Sequence, residues 1–172
     1  HHPVIFQPAK AITDDDGVGR AILQLIRSGI SAINAHTNLD CAPGGVNDVL
    51  AGKLGLANVD VLNPNGVDAE GRPWGLLRHG TVESQSLQAF LPQVKACLGC
   101  EGLRYVEGNK PVCHVAVGGG ACAGALREVA DAGCDTFVTA DVRYNQFWDA
   151  KELGINLIDA GHFCTENPVV AV

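Results

Sequence analysis

The stretch CDTFVTADVRYNQFWDAKELGINLIDA, residues 134–160, decides the fold. Its first part, CDTFVTA, is a short apolar run that predicts a strand. RYNQFWDAKELG then predicts a helix that a glycine ends, and INLIDA predicts a second strand. Residues 111–133 show the same order upstream, with the strand PVCHVAVGGG before the helix GALREVADAG. Strands joined by helices of this length form right-handed crossovers, so we predict an α/β fold with mostly parallel sheets.

The chain before this region is predicted to form a first lobe of the same class. TDDDGVGRAILQLIRSG and PGGVNDVLAGKLG each predict a helix ended by glycine, and ISAINA (residues 30–35) between them predicts a strand. Residues 57–80 are rich in Asn, Pro, Gly and Asp, which is typical of short strands and turns at a boundary. We therefore place a first α/β lobe, truncated at its amino terminus, in residues 1–75 and a second in residues 76–172, both within one domain.

Composition excludes several classes of function. The 172 residues are 47% apolar and carry a net charge of −7 without a basic cluster, which argues against a nucleic-acid-binding face. No apolar run approaches the roughly 20 residues of a membrane span, and no signal peptide precedes the first strand, so we predict a cytoplasmic protein without a membrane partner. The seven cysteines lack a framework spacing and are predicted to be free thiols. The chain has no Met and begins HHPVIF, which predicts processing or a fragment.

Two segments with the same histidine-to-carboxylate spacing are candidates for a metal site. HTNLD (residues 36–40) and HFCTE (residues 162–166) each place a histidine four residues before a carboxylate, just after a predicted strand. Ligands of α/β sheets bind at the carboxyl ends of the strands, and imidazole nitrogens and carboxylate oxygens are metal ligands. Together with His1 and His2, the set suggests two metals. The alternative is that each segment holds a structural histidine and a helix-capping acid, and the spacing alone leaves both interpretations open.

Other candidate sites have weaker support. The turn in VAVGGGACAG, residues 115–124, is either a phosphate cradle or a tight strand-to-helix turn, and it matches neither a dinucleotide motif nor a P-loop. Asp141 is a partner of a metal ligand, a substrate contact or a helix cap. His79 and His114 lack a partner motif and are predicted to be ordinary surface and sheet residues.

The cysteines and serines suggest little chemistry of their own. Cys97 and Cys100 form a C-x-x-C near Cys113, but packing is favoured over zinc there because a fourth ligand is missing unless the adjacent His114 serves. No G-x-S-x-G motif supports a nucleophilic serine.

HHPVIF, HTNLDCAPGGVNDVLAGKLGL, TADVRYN and LIDAGHFCTE closely resemble the dinuclear-metal-centre family of GTP cyclohydrolase I type 2 homologues, also called Nif-three-like proteins. The resemblance covers nearly the whole chain in the right order. It implies two linked α/β lobes with the metal site in the cleft between them, and assembly as a toroidal hexamer. It places His36 near the metals, as a partner of a ligand or as a general base, and lets Glu166 touch both metals. The implied metal ligands are His1, His2, Asp40, His162 and Glu166.

The chain departs from the family pattern at three places. Family members carry Gly and His where this chain has Ala140 and Asn145, so a histidine near the cleft is absent. Ala121 and Cys122 replace the serines that follow the glycine-rich turn. The chain is also shorter than family members at both ends, which predicts a trimmed protein.

The resulting prediction is a dinuclear metal-binding protein that hydrolyses a nucleotide-like or phosphorylated small molecule. Two divalent ions activate water and His36 moves a proton; the ligand types admit Zn, Mn, Fe, Co or Ni. The alternative is a non-catalytic metal-binding or partner-binding protein, which the loss of histidine at Asn145 favours slightly. A third hypothesis is a nucleotide-binding module built on the glycine-rich turn.

Overall fold

The computed structural model describes residues 2–172 and divides the chain into two units. The smaller unit ends at Leu39, and the larger unit is Asp40–Val172. In the smaller unit, helix α1 (Gly17–Arg27) forms as predicted, and the Asp16 carboxylate caps it by accepting from Gly19 N at 2.7 Å. The predicted lobe boundary at residues 75/76 remains a prediction.

The strand predicted for residues 30–35 is wrong. That segment joins no sheet among residues 2–172, and the Ile33 side chain is 95% exposed. An isoleucine-rich run resembles a strand in sequence, but a strand also needs a neighbour to bond its backbone groups and a surface to cover its side chains.

The larger unit contains both strands and helices, and they alternate along the chain only from β6 onward. Its division from the smaller unit falls inside α2 (Thr37–Cys41). The remaining helices are α3 (Val46–Lys53), α4 (Leu87–Leu98), α5 (Leu126–Asp131), α6 (Tyr144–Leu153) and α7 (His162–Glu166). The strands are β1 (Ala57–Leu62), β2 (Gly66–Val67), β3 (Pro73–Trp74), β4 (Leu77–Gln85), β5 (Arg104–Val106), β6 (Val112–Val117), β7 (Thr136–Thr139) and β8 (Asn156–Asp159). Among residues 2–172, no helix has both the length and the apolar character that a membrane span requires.

Six strands form one sheet in the order β1-β4-β6-β7-β8-β5. The α/β class is confirmed, but the sheet is not mostly parallel as predicted. Only β6, β7 and β8 run parallel, whereas β1 with β4, β4 with β6, and β5 with β8 are antiparallel. A parallel pair requires a crossover, which α5 and α6 supply for the central strands. The connection from β1 to β4 has only the small β2–β3 hairpin, so that pair is antiparallel.

The sheet is buried on both faces. One face packs α3 and α4 through residues such as Leu50, Phe90 and Val94. The other face packs α5 and α6, with Phe137 and Leu157 fully buried beneath them. Helices on both faces leave the strand ends as the places where polar groups converge.

The carboxyl ends of β6, β7 and β8 are held level by backbone hydrogen bonds. Gly118 N donates to Val138 O at 3.0 Å, and Ala160 N donates to Thr139 O at 2.9 Å. Ala140 N donates to a carbonyl of the glycine-rich turn, Gly120 O, at 3.0 Å. The three loops that follow these strands therefore start from fixed positions.

Candidate metal centre

His162 and Glu166 lie on the same face of α7, one helical turn apart. His162 Nε2 is 3.0 Å from Glu166 Oε1, and the His162 and Glu166 side chains are 30% and 14% exposed. The helix begins directly after β8, where Gly161 has the positive φ of 84° that lets the chain turn into it. The second predicted histidine–carboxylate segment therefore does place its two groups at one point, as the i, i+4 spacing indicates.

The glycine-rich turn leaves room at that point. Gly120 has a φ of +65°, and a Cβ there would overlap Glu166 Oε1 and lie 3.2 Å from His162 Nε2. Thr165, fully buried, fixes the distance between the turn and α7 because its hydroxyl accepts from Gly120 N at 3.0 Å. Only glycine fits where the histidine and the carboxylate converge.

Asp141 orients the histidine. Its Oδ2 is 2.6 Å from His162 Nδ1, which places the ring proton on Nδ1 and turns Nε2 toward Glu166. Burial alone would lower the pKa of His162, but the hydrogen bond to Asp141 and the charges of Glu166 and Asp141 raise it. A carboxylate behind a histidine is the usual support of a metal-binding imidazole. The structure excludes the interpretation of Asp141 as the cap of α6, because Arg143 occupies that position. Its contact with His162 supports the interpretation as a histidine partner.

Asn47 connects the start of the larger unit to the glycine-rich turn. Its fully buried amide donates to Asp40 O at 3.2 Å and to Leu76 O at 2.6 Å, and its Oδ1 accepts from Gly119 N at 2.7 Å. The side chain of Asn47 thus makes hydrogen bonds to backbone groups of three different segments. It holds the backbone of the predicted ligand Asp40.

The pKa of Cys122 reflects the negative charge near His162 and Glu166. Burial, and then the negative charges of Asp40, Glu166 and Cys41, raise the pKa of its thiol to about 12. The Sγ proton is donated to Gly119 O at 3.1 Å. Asp40 and Glu166 therefore act on the same thiol from within electrostatic range, and the thiol stays protonated and adds no charge.

The glycine-rich turn is not organised to hold a phosphate. The backbone N–H groups of Gly118, Gly119 and Gly120 donate to Val138 O, Asn47 Oδ1 and Thr165 Oγ1. A phosphate cradle needs such groups to point at the ligand. The tight strand-to-helix turn is therefore the better interpretation of this segment.

In the smaller unit, His2 and His36 lie together. Their ring centroids are 4.8 Å apart, and Phe6 packs edge-on against both rings at 5.5 and 6.0 Å. His36 Nδ1 is 3.2 Å from Thr37 Oγ1. His1 lies outside the described residues. Within the smaller unit the structure groups His2 with His36, and within the larger unit it groups His162 with Glu166. The complete predicted set of His1, His2, Asp40, His162 and Glu166 stays a prediction.

Sequence reasoning missed a second group of metal-binding side chains. His79, His114 and Cys134 have ligand atoms that all lie within 4.8 Å of one another, so the three could hold a metal ion. His79 and His114 face the same side of neighbouring strands, although they were expected to be ordinary surface and sheet residues. The sequence could have shown only that each histidine lies on one face of its own strand. It does not reveal that these two strands pair, so it gave no sign that the histidines meet. The doubted zinc site at Cys97 and Cys100 gains no support, because Cys100 packs in the core.

The fold and the site define an α/β protein with a histidine–carboxylate pair at the carboxyl ends of its parallel strands. A model of the Duf34/NIF3 (NGG1p interacting factor 3) family matches residues 1–172, and the chain belongs to this family. The resemblance seen in the sequence is therefore confirmed.

Individual relatives agree. The chain is 34% identical to a GTP cyclohydrolase 1 type 2 homolog of Clostridium perfringens, over 99% of this chain and 64% of that protein. It is 30% identical to a protein NIF3 homolog of Schizosaccharomyces pombe, over 96% and 61% of the two chains. The chain thus spans less than two thirds of the length of these relatives.

Solved structures show the same fold. A Bacillus cereus protein related to NIF3 superposes with a TM-score of 0.83 at 26% identity, over 98% of this chain and 73% of that one. Reduced HcgD from Methanocaldococcus jannaschii superposes with a TM-score of 0.75 at 28% identity, over 99% and 65% of the two chains. These similarities confirm the α/β fold that the sequence predicts.

Proposed function

We propose that this chain forms a dinuclear divalent-metal centre and acts as a metal-dependent hydrolase on a nucleotide-like or phosphorylated small molecule. The observation that carries the proposal is the convergence of His162 Nε2 and Glu166 Oε1, 3.0 Å apart, against the Cα of Gly120. At this distance the two side chains form an ion pair in the metal-free protein, and both atoms are of metal-ligand type. A cation bound there would replace the proton that the pair shares, in a space that a Cβ at Gly120 would fill.

The donor set fits borderline divalent ions. His162 offers a nitrogen, Glu166 and Asp40 offer oxygens, and the proposal adds His1 and His2 as further nitrogens. Nitrogen and carboxylate ligands suit Zn, Mn, Fe, Co and Ni. Bound ions would supply Lewis acidity that polarises the bond under attack.

The chain's own residues have separate tasks. Asp141 keeps the His162 proton on Nδ1, so that Nε2 is the atom presented to a cation. Gly120 keeps the space open. His36, whose Nδ1 contacts the Thr37 hydroxyl, is proposed to accept and return a proton during hydrolysis.

The substrate class rests on relatives rather than on this site. The proteins similar to this chain carry the name GTP cyclohydrolase 1 type 2 homolog, which favours a purine nucleotide. The three glycines of the glycine-rich turn offer no support, because the N–H groups of Gly118, Gly119 and Gly120 are already bonded within the protein. Recognition of a nucleotide would therefore rest on the metals and on side chains.

A non-catalytic metal-binding protein is the second candidate, and Asn145 is the observation that favours it. This residue is exposed on α6 and replaces a histidine of Nif-three-like proteins. An amide cannot exchange a proton near neutral pH, so a proton-transfer step at this position would be lost.

The metal content of the purified, untagged protein tests the proposal. We expect the centre to contribute about two divalent ions per chain by elemental analysis. Glu166→Ala should lose this metal, and the matched control Glu101→Ala, an exposed acid outside the site, should keep it. Metal binding without turnover on a panel of nucleotides and phosphate esters would select the non-catalytic candidate. Equal metal content in the parent and in Glu166→Ala would refute the site.

A further inference from the structure

The group of His79, His114 and Cys134 stands apart from the centre described above. His79 lies on β4, His114 on β6, and Cys134 directly before β7. In the β4–β6 pair, His79 is opposite Ala116 and His114 is opposite Thr81, so the two histidines are diagonal neighbours on one face of the sheet. It is the face whose buried cluster contains Ala116 and Cys134.

The three ligand atoms are already close to the geometry of a metal site. His79 Nδ1 is 2.8 Å from His114 Nε2, the ring centroids are 5.0 Å apart, and all three ligand atoms lie within 4.8 Å of one another. A tetrahedral ion with metal–nitrogen bonds of about 2.0–2.1 Å holds two imidazole nitrogens about 3.3 Å apart. The pair would open by roughly half an ångström to admit the ion, which side-chain rotation can supply.

The surroundings suit a cation that accepts a thiolate sulfur as well as imidazole nitrogens. Cys134 is only 2% exposed, whereas both histidines are half-buried and give an ion access. Burial, and then the neighbouring His114, lower the pKa of His79. Burial and Asp135 raise the pKa of the Cys134 thiol to about 11, and only a bound metal would remove that proton near neutral pH.

We propose that His79, His114 and Cys134 form a second metal site, for a zinc ion, on the β4–β6–β7 face of the sheet. Two imidazoles and one thiolate are a ligand set of zinc, and three protein ligands leave its fourth position for solvent or another group. Asp60, opposite His79 in the β1–β4 pair, contributes a nearby negative charge. The site does not depend on the hydrolase centre, whose proposed ligands include no thiolate.

Cobalt(II) distinguishes this site from the hydrolase centre because a cobalt–thiolate bond gives a charge-transfer absorption in the near ultraviolet. We expect this band when the metal-free protein is titrated with cobalt(II), with an intensity that corresponds to one cobalt–thiolate bond per chain, and we expect zinc(II) to displace it. Cys134→Ser should abolish it. Cys113→Ser, a neighbouring β6 thiol outside the group, and Cys122→Ser, beside the hydrolase centre, should keep it.

A second variant covers the case in which the buried serine prevents folding. His114→Gln alters a half-buried position and should weaken cobalt binding at least tenfold, with an unchanged circular dichroism spectrum. The proposal is overturned if the parent gives no charge-transfer band, or if the band survives Cys134→Ser. It is also overturned if only Cys122→Ser removes the band, since the thiolate would then belong to the other centre.

Discussion

Replacing Gly120 by Ala should separate the cost of backbone strain from the loss of the metal centre. Gly120 has a φ of +65°, and a residue with a Cβ in this conformation lowers the free energy of unfolding by about 1–2 kcal/mol. For a chain of this size that corresponds to a fall in Tm of about 2–4 °C per kcal/mol. The new Cβ would also overlap Glu166 Oε1 and lie 3.2 Å from His162 Nε2, so both groups must move. Displaced or poorly supported ligands lower metal affinity by about 10–100-fold.

Gly99→Ala is the matched control. Gly99 has a φ of +64° at the end of α4, and a Cβ there would meet nothing within 4 Å. Both variants should therefore lose similar stability when metal-free, by thermal unfolding. Only Gly120→Ala should lose affinity in a calorimetric metal titration, and only there should added metal fail to raise Tm. Metal affinity in Gly120→Ala equal to that of Gly99→Ala would show that nothing binds where His162 and Glu166 converge.

Three further outcomes follow from named contacts. Asp141→Asn should lower metal affinity about 10–100-fold in a calorimetric titration without unfolding the protein, because the carboxylate that orients the imidazole becomes a neutral amide; unchanged affinity would contradict its role. Asn47→Ala should lower the free energy of unfolding in urea by about 1–3 kcal/mol, since buried backbone groups lose their partner, whereas exposed Asn145→Ala should change little. In the metal-free protein at pH 8, the Cys122 thiol, with a pKa raised to about 12 by burial and adjacent charges, is ionised in roughly one chain in 10⁴ and should resist alkylation. Exposed Cys97 should be modified first in a mass-spectrometric time course.

The elements that the sequence predicted correctly are those with a local cause. In residues 134–160, apolar runs gave β7 and β8, and the helical pattern closed by Gly154 gave α6. The antiparallel pairing of β4 with both β1 and β6 was not predicted, because it joins segments that are distant in sequence. No local pattern records which strands become neighbours.

The candidate site also has features that the sequence predicted and features that only the structure reveals. The sequence predicted that His162 and Glu166 converge where a strand ends, but the helix face that they share is seen only in the structure. The roles of Gly120 and Asp141 depend on three strand ends meeting at one edge of the sheet, so only the structure reveals them. The pairing of His79 with His114 was missed for the same reason, since they lie 35 residues apart on strands that become neighbours only in the fold.

Asn47 has a consequence for how the centre is assembled during folding. Its amide joins groups that are 7, 29 and 72 residues away along the chain. The glycine-rich turn is therefore fixed only after α3 has docked, and a partly folded chain would lack the finished site. Metal binding is therefore expected late in folding, once the larger unit has reached its complete fold. By the same linkage, a chelator should destabilise that whole unit rather than a single loop.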